Sequence, residues 1–150
     1  MIAQFQGYKG SFPYKTDSKN RVNVVTSWRP PEGAGLYLMA SVSEGVNIIK
    51  VLTDEAVVYR LQVIDENESE PKKRAELKTR LKRLLRESSV NEQGKMLIPR
   101  DLAQHAGIAT DSDVTLSAGD SHFEIWNREK FESIFGVAAV PPEEDTLGIF

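Results

Sequence analysis

The chain contains no cysteine. Disulfides, thiolate metal sites and a cysteine nucleophile are therefore excluded, and the lack of disulfide chemistry fits a reducing compartment. Histidine is scarce as well: His105 and His122 stand apart, without an acidic cluster at ligand spacing, so no metal is expected. No apolar run approaches the roughly 20 residues of a membrane span. The opening "MIAQFQGYKGSF" lacks the basic head and apolar stretch of a signal peptide. The expectation is a cytoplasmic protein. Ser27, Ser88 and Ser89 have no visible His–Asp company, and "GAG" at 33–35 lacks the lysine of a phosphate loop. Nothing argues for an enzyme, and no cofactor is expected.

What is present fits one compact domain or two very small ones: 150 residues, 40% of them hydrophobic. The net charge of −3 conceals segregation. Residues 1–31 carry five Lys/Arg against one Asp, and residues 32–70 carry two basic against eight acidic. Residues 71–87 then carry eight basic against two acidic, and residues 88–150 four against eleven. An acidic total does not exclude a local basic face, and local potential is what captures a polyanion.

The chain matches itself without gaps at an offset of 74 residues. Asp17 falls on Asn91, Arg21 on Lys95, Val22 and Val24 on Met96 and Ile98, and Trp28 on Leu102. Gly33 meets Gly107, Gly45 meets Gly119, and Val51 meets Ile125. Each copy predicts a polar turn, a short strand with alternating apolar residues, a helical turn (closed by Gly107 in the second copy, broken by Pro30–Pro31 in the first), a Gly hairpin and a terminal helix. The helices are expected to be capped by Thr53 and Asn127. The first should bury Val57, Val58, Leu61 and Ile64, the second Phe131, Ile134 and Phe135. Trp28 and Trp126 are expected in the core.

Between the copies, "DENESEP" at 65–71 reads as a polar break. The following stretch predicts a basic amphipathic helix over 71–87 with Leu77, Leu81, Leu84 and Leu85 buried on one stripe. The expected organisation is a first repeat at 5–64, an acidic linker and basic helix at 65–87, a second repeat at 88–136 and a mobile acidic tail at 137–150. Neither repeat has enough core to stand alone, so the two should pair about a pseudo-two-fold axis into one closed β-barrel flanked by helices.

"DSKNRVNVV" and "NEQGKMLIP", with "RDLAQHAGI" and "HFEIWNREKFESI" after the second, resemble the MraZ family of bacterial transcriptional regulators. That family is built from two tandem SpoVT/AbrB-type domains, and the resemblance covers roughly residues 5 to 136. It implies an α+β, mainly β fold: a double-split, swapped-hairpin AbrB-like barrel. It further implies sequence-specific binding of double-stranded DNA at promoter repeats of a cell-division and cell-wall gene cluster. A ring-shaped homo-oligomer associated with the nucleoid is implied as well. The residues implied for DNA contact are Lys15, Lys19, Asn20, Arg21 and Lys95, with Asp17, Asn91 and Gly94 shaping the turns.

Four positions depart from the family pattern: Asn20 for glycine, Val25 for proline, Asn91 for aspartate and Lys95 for arginine. Asparagine tolerates the left-handed backbone that the first turn needs. Lysine keeps a charge for phosphate but loses the planar fork that grips guanine. Two rival expectations remain open. One is a protein-interaction or scaffold barrel that has lost DNA recognition, which the net acidity and the altered second motif favour. The other is an antitoxin-like protein of the same superfamily.

Overall fold

In the short stretch after each polar turn, the apolar residues at alternate positions are the ones removed from solvent. Val22, Val24, Met96 and Ile98 are at most 1% exposed. The structure is a computed structural model that describes residues 7–136 and 145–149. Its first half contains β1 (Ser11–Lys15), β2 (Arg21–Asn23), a 3-10 turn (Thr26–Trp28), β3 (Leu36–Ser43), β4 (Val46–Thr53) and α1 (Asp54–Asn67). Then come α2 (Pro71–Leu84), β5 (Arg86–Ser88), β6 (Lys95–Leu97), α3 (Arg100–His105), β7 (Asp113–Ala118), β8 (Phe123–Asn127) and α4 (Arg128–Phe135). The fold is mixed α+β. Six strands form one antiparallel sheet in the order β1-β7-β8-β4-β3-β5, and β2 with β6 forms a separate ribbon.

Val22 faces Met96 across the ribbon, and Lys50 faces Glu124 across the sheet. Both pairs join residues 74 positions apart (22 to 96, 50 to 124), so a pseudo-two-fold axis runs through the two sites. The halves also exchange strands. Tyr14 of β1 pairs with Val114 of the second hairpin, and Ser88 of β5 pairs with Leu36 of the first.

The copies do not superpose without gaps, contrary to the sequence expectation. Leu36 pairs with Thr53 but Val114 with Asn127, so the second hairpin is four residues shorter. The missing length lies ahead of β7, in a loop that Thr16 anchors. The Thr16 hydroxyl donates to the Ala109 carbonyl at 2.8 Å and accepts from the Ser112 N–H at 3.0 Å. Gly45 and Gly119 are therefore not equivalent. Gly45 takes φ +73 in the tight first turn, whereas the second hairpin uses Ser121 at φ +58 in its longer turn.

No ladder among the described residues closes the sheet into a barrel, since β1 and β5 remain its edges. One core still joins ribbon and sheet, with Val22, Val24, Met96 and Ile98 packed among Leu36, Ile49, Val114, Phe123 and Ile125. Trp28 belongs to this core, edge-on to Tyr8 and Phe12, and Trp126 packs separately with Ile48 and Phe131.

Thr53 and Asn127 cap their helices as expected, accepting the N–H groups of Ala56 and Lys130. The helix faces differ from expectation. In α1 the fully buried residue is Ala56, while Val58 is 52% exposed. In α4 Phe131 is buried and Phe135 packs beside it, but Ile134 is exposed. The polar break is shorter than "DENESEP", because α1 continues to Asn67. Helix α2 ends at Leu84, where the chain turns into β5. Its leucine stripe is split: Leu81, with Leu85 just beyond the helix, packs on Met39, Leu52 and Ala56, whereas Leu77 and Leu84 face solvent. Residues 137–144 and Phe150 of the expected tail lie outside the described residues.

The split stripe separates two substitutions. Leu81→Asp places a charge against an apolar cluster and is expected to cost roughly 2–4 kcal/mol. Leu77→Asp lies on the open face and should stay within about 0.5 kcal/mol in the unassembled chain. Thermal melts of both variants check the contrast; equal loss would place Leu77 in the core.

Candidate nucleic-acid interface

Each polar turn is closed by the same hydrogen bonds. The Asp17 N–H donates to the Arg21 carbonyl and the Asn20 N–H to the Asp17 carbonyl, at 2.9 and 3.0 Å. In the second copy Asn91 N–H donates to the Lys95 carbonyl and Gly94 N–H to the Asn91 carbonyl, both at 2.9 Å. Asn20 and Gly94 occupy the left-handed position, at φ +59 and +80. The turns are then stitched crosswise: Val24 N–H donates to the Gly94 carbonyl and Ile98 N–H to the Asn20 carbonyl. Asn20 and Gly94 thus act through backbone, and both turns are held on the ribbon that the axis bisects.

The side chains at 17 and 91 hold the turns from inside. Asp17 Oδ1 accepts the N–H groups of Lys19 and Arg21, at 2.9 and 2.8 Å. Asn91 Oδ1 accepts those of Gln93 and Lys95, both at 2.9 Å. Only Asp17 has a second carboxylate oxygen to offer. Its Oδ2 takes the Arg21 Nε at 2.8 Å and lies 3.6 Å from the Lys95 Nζ. Asn91 has no charge for Lys95, so the lysine turns to the acid of the other copy. One carboxylate therefore orients the two cations that the repeat places in register.

Arg21 and Lys95 keep about a third of their side-chain surface in solvent, at 33% and 31%. They lie on the outward face of the ribbon, with Asn23 and Leu97 beside them and Val22 and Met96 beneath. Lys19 is exposed at the tip of the first turn. Lys15 is placed apart from this group: it ends β1 opposite Asp113, and among the described residues no hydrogen bond or ion pair links it to the ribbon.

Arg29 was not anticipated from the sequence. Its Nε donates to the Val24 carbonyl at 2.9 Å, and its guanidinium lies where a Cβ at Gly94 would project. Glycine at 94 is favoured by its left-handed φ, and a side chain there would displace the Arg29 guanidinium. The outward positions of Asn23 and Leu97 were legible: in a strand that buries Val22 and Val24, the alternate residues must face out.

The two ends of the ribbon differ electrostatically. The first turn shows Ser18 and Lys19 where the second shows Glu92 and Gln93. Beside the second turn is a cleft of about 730 Å³ whose lining includes both Glu32 and Glu92. The histidines serve the frame. His105 Nε2 lies 2.9 Å from the Ser41 carbonyl, and buried His122 sits between Arg60 and Glu124. No group of three or more His, Asp or Glu among the described residues is arranged to hold a metal ion. No described helix is long and apolar enough to cross a membrane.

The Asp17 carboxyl is held down at about 2, chiefly by the backbone N–H of Arg21, against partial desolvation and with the Arg21 side chain assisting. A carboxyl depressed in the fold stabilises it above the ordinary value of 3.8, and that contribution fades as pH falls toward about 2. Carbon-detected NMR should give Asp17 a midpoint near 2 in the folded protein. A midpoint at the ordinary value would mean that the turn does not grip the carboxylate.

No protein-family model matches the chain. Among curated proteins, the transcriptional regulator MraZ of Desulfosudis oleivorans is 26% identical over 129 residues, covering 83% of each chain. The regulator of the same name from Dehalococcoides mccartyi is 26% identical over 124 residues, 83% of this chain and 84% of its own. That of Lachnoclostridium phytofermentans is 46% identical, but over 44 residues, which span 30% of that protein. Along 83% of its length, the chain is a divergent relative of the transcriptional regulators named MraZ.

Proposed function

We propose that the protein is a sequence-specific DNA-binding transcriptional regulator that uses the β2–β6 ribbon as its DNA-contacting element. The observation that carries this reading is the joint placement of Arg21 and Lys95, one from each repeat, on a single outward face around Asp17. A two-stranded ribbon is narrow enough for the major groove, and its turn tips can rest against phosphates. Arg21 retains the planar fork for guanine, oriented by Asp17, while Lys95 acts as a point charge. Asp17 supports Arg21 and does not meet phosphate. Lys19 adds charge at the tip of the first turn, and Lys15 contributes from the flank. The name shared by the relatives supports the regulatory role. The family's site of action, a cell-division and cell-wall promoter read from the cytoplasm at the nucleoid, belongs to this proposal.

The swapped-hairpin barrel is part of the same reading. Strand exchange between the halves and a core shared by ribbon and sheet both favour it. Assembly completes it. A few exposed charges support only weak binding at cellular salt, so a regulator built from such units gains by engaging several DNA boxes together. The two lateral faces of one chain are unlike, and unlike faces joined head to tail close into a ring when the rotation permits. Leu77, Leu84 and Val58 offer exposed apolar surface on α1 and α2 for such a contact.

DNA selected from a randomised duplex pool and titrated against salt tests the function. The slope of log affinity on log salt is expected near −0.9 for each phosphate engaged. Arg21→Ala should abolish preference for the selected duplex. Lys95→Ala should weaken all duplexes alike and reduce the salt slope by about 1. No enrichment from the pool would favour an interaction barrel. Assembly is read separately by light scattering: a ring-sized particle is expected, and a monomer at working concentration would refute the ring.

A further inference from the structure

The outward face of the ribbon carries four side chains, Arg21 and Asn23 from β2 and Lys95 and Leu97 from β6. Arg21 is opposite Leu97, and Asn23 is opposite Lys95. The pseudo-two-fold axis through Val22 and Met96 relates Arg21 to Lys95, which are alike in charge. It also relates Asn23 to Leu97, which share no chemistry.

Neither Asn23 nor Leu97 is explained by the fold. Asparagine is a poor strand former, and Asn23 is exposed. Among the described residues its side-chain amide makes no hydrogen bond, whereas Asn20 and Asn91 are built into the turns. Leu97 is 54% exposed, although its neighbours Met96 and Ile98 are buried. A lone exposed leucine is ordinary. Here it lies in a three-residue strand, on the face that also carries the two cations and an unengaged amide.

We propose that Asn23 and Leu97 determine which sequence the ribbon binds, Asn23 by pairing with adenine and Leu97 by contacting a thymine methyl group. The inference rests on the reading of the ribbon as a DNA-contacting element. An asparagine amide matches the N6 donor and N7 acceptor of adenine, and an apolar side chain matches the C5 methyl of thymine. Residues two apart on a strand are separated by about 6.7 Å. Base pairs two apart are separated by about 6.8 Å. Arg21 and Asn23 therefore match the spacing of a guanine and an adenine two steps along one groove.

The consequence is a directional site. A symmetric ribbon would read the same bases on both sides of its axis and favour a palindrome. This ribbon carries a fork and an amide on one side and a point charge and an apolar side chain on the other. Its turns add to the asymmetry, since Lys19 flanks the first side and Glu92 the second. One chain thus reads a non-palindromic element and binds it in one orientation.

The test uses the full chain and a randomised duplex pool, with wild type, Asn23→Ala, Leu97→Ala and Arg21→Ala selected in parallel. Wild type is expected to enrich a non-palindromic element. Asn23→Ala should lose preference at one adenine by roughly 5- to 150-fold, with its salt slope unchanged. Replacing thymine by deoxyuridine in the enriched duplex should weaken wild type about fourfold and leave Leu97→Ala unaffected. If Asn23→Ala and Leu97→Ala both enrich the wild-type element with undiminished preference, the inference is overturned while Arg21→Ala still reports on DNA binding itself. A palindromic wild-type element overturns the directional site. No enrichment by wild type overturns the DNA reading and this inference with it.

Discussion

The structure depends on one constraint: neither half of the chain can remove its own apolar strand face from water. Val22 and Val24 of the first repeat and Met96 and Ile98 of the second are buried in a single cluster to which both repeats contribute. Pressed together across the pseudo-two-fold axis, all four become buried, and the sheet below supplies the rest of the core. Exchange of β1 and β5 between the halves follows from the same need, because it ties each hairpin to the other copy through a strand ladder. Hydrophobic stabilisation scales with apolar area removed from water, so a chain this short gains most by sharing one core.

Burial of the ribbon's inner face leaves its outer face fixed in position but free in composition. Into that space the repeats bring two turns whose backbone hydrogen bonds are equivalent, and whose side chains have diverged. The divergence is compensated across the axis. Asn91 closes its turn but offers no charge, and Lys95 lies instead toward Asp17. Arg29 covers the glycine of the second turn, and Asp111, in the loop that Thr16 anchors, donates its N–H to the Asp17 carbonyl of the first. Each turn is held by a different neighbour, which allows the halves to differ without loss of the shared geometry.

Much of this was legible in the sequence, and the legible part has a common cause. Period-two alternation at Val22/Val24 and Met96/Ile98 marks strands, and the 74-residue spacing reports which residues meet on the axis. Thr53 and Asn127 mark helix starts because the capping chemistry is local. The illegible part depends on what lies across space. The four residues moved from the second hairpin to the loop ahead of β7 leave the overall offset unchanged, so an ungapped match conceals them. The leucine stripe of α2 states that one face is apolar, but not which leucines find a partner within the chain. Leu81 does and Leu77 does not. Arg29 carried no local signal, since its role depends on Gly94 sixty-five positions away (29 to 94).

Two copies fused in one chain also change what a single substitution can do. In a dimer of identical short repeats, any change at the ribbon would appear on both sides of the axis at once. Harmful pairs such as two acids facing each other would then arise together. Here positions 17 and 91, 21 and 95, and 23 and 97 are encoded separately. Half of the ribbon's outward face can change while the other half stays as it is. The covalent join thus turns a symmetric surface into one that can be altered a side at a time.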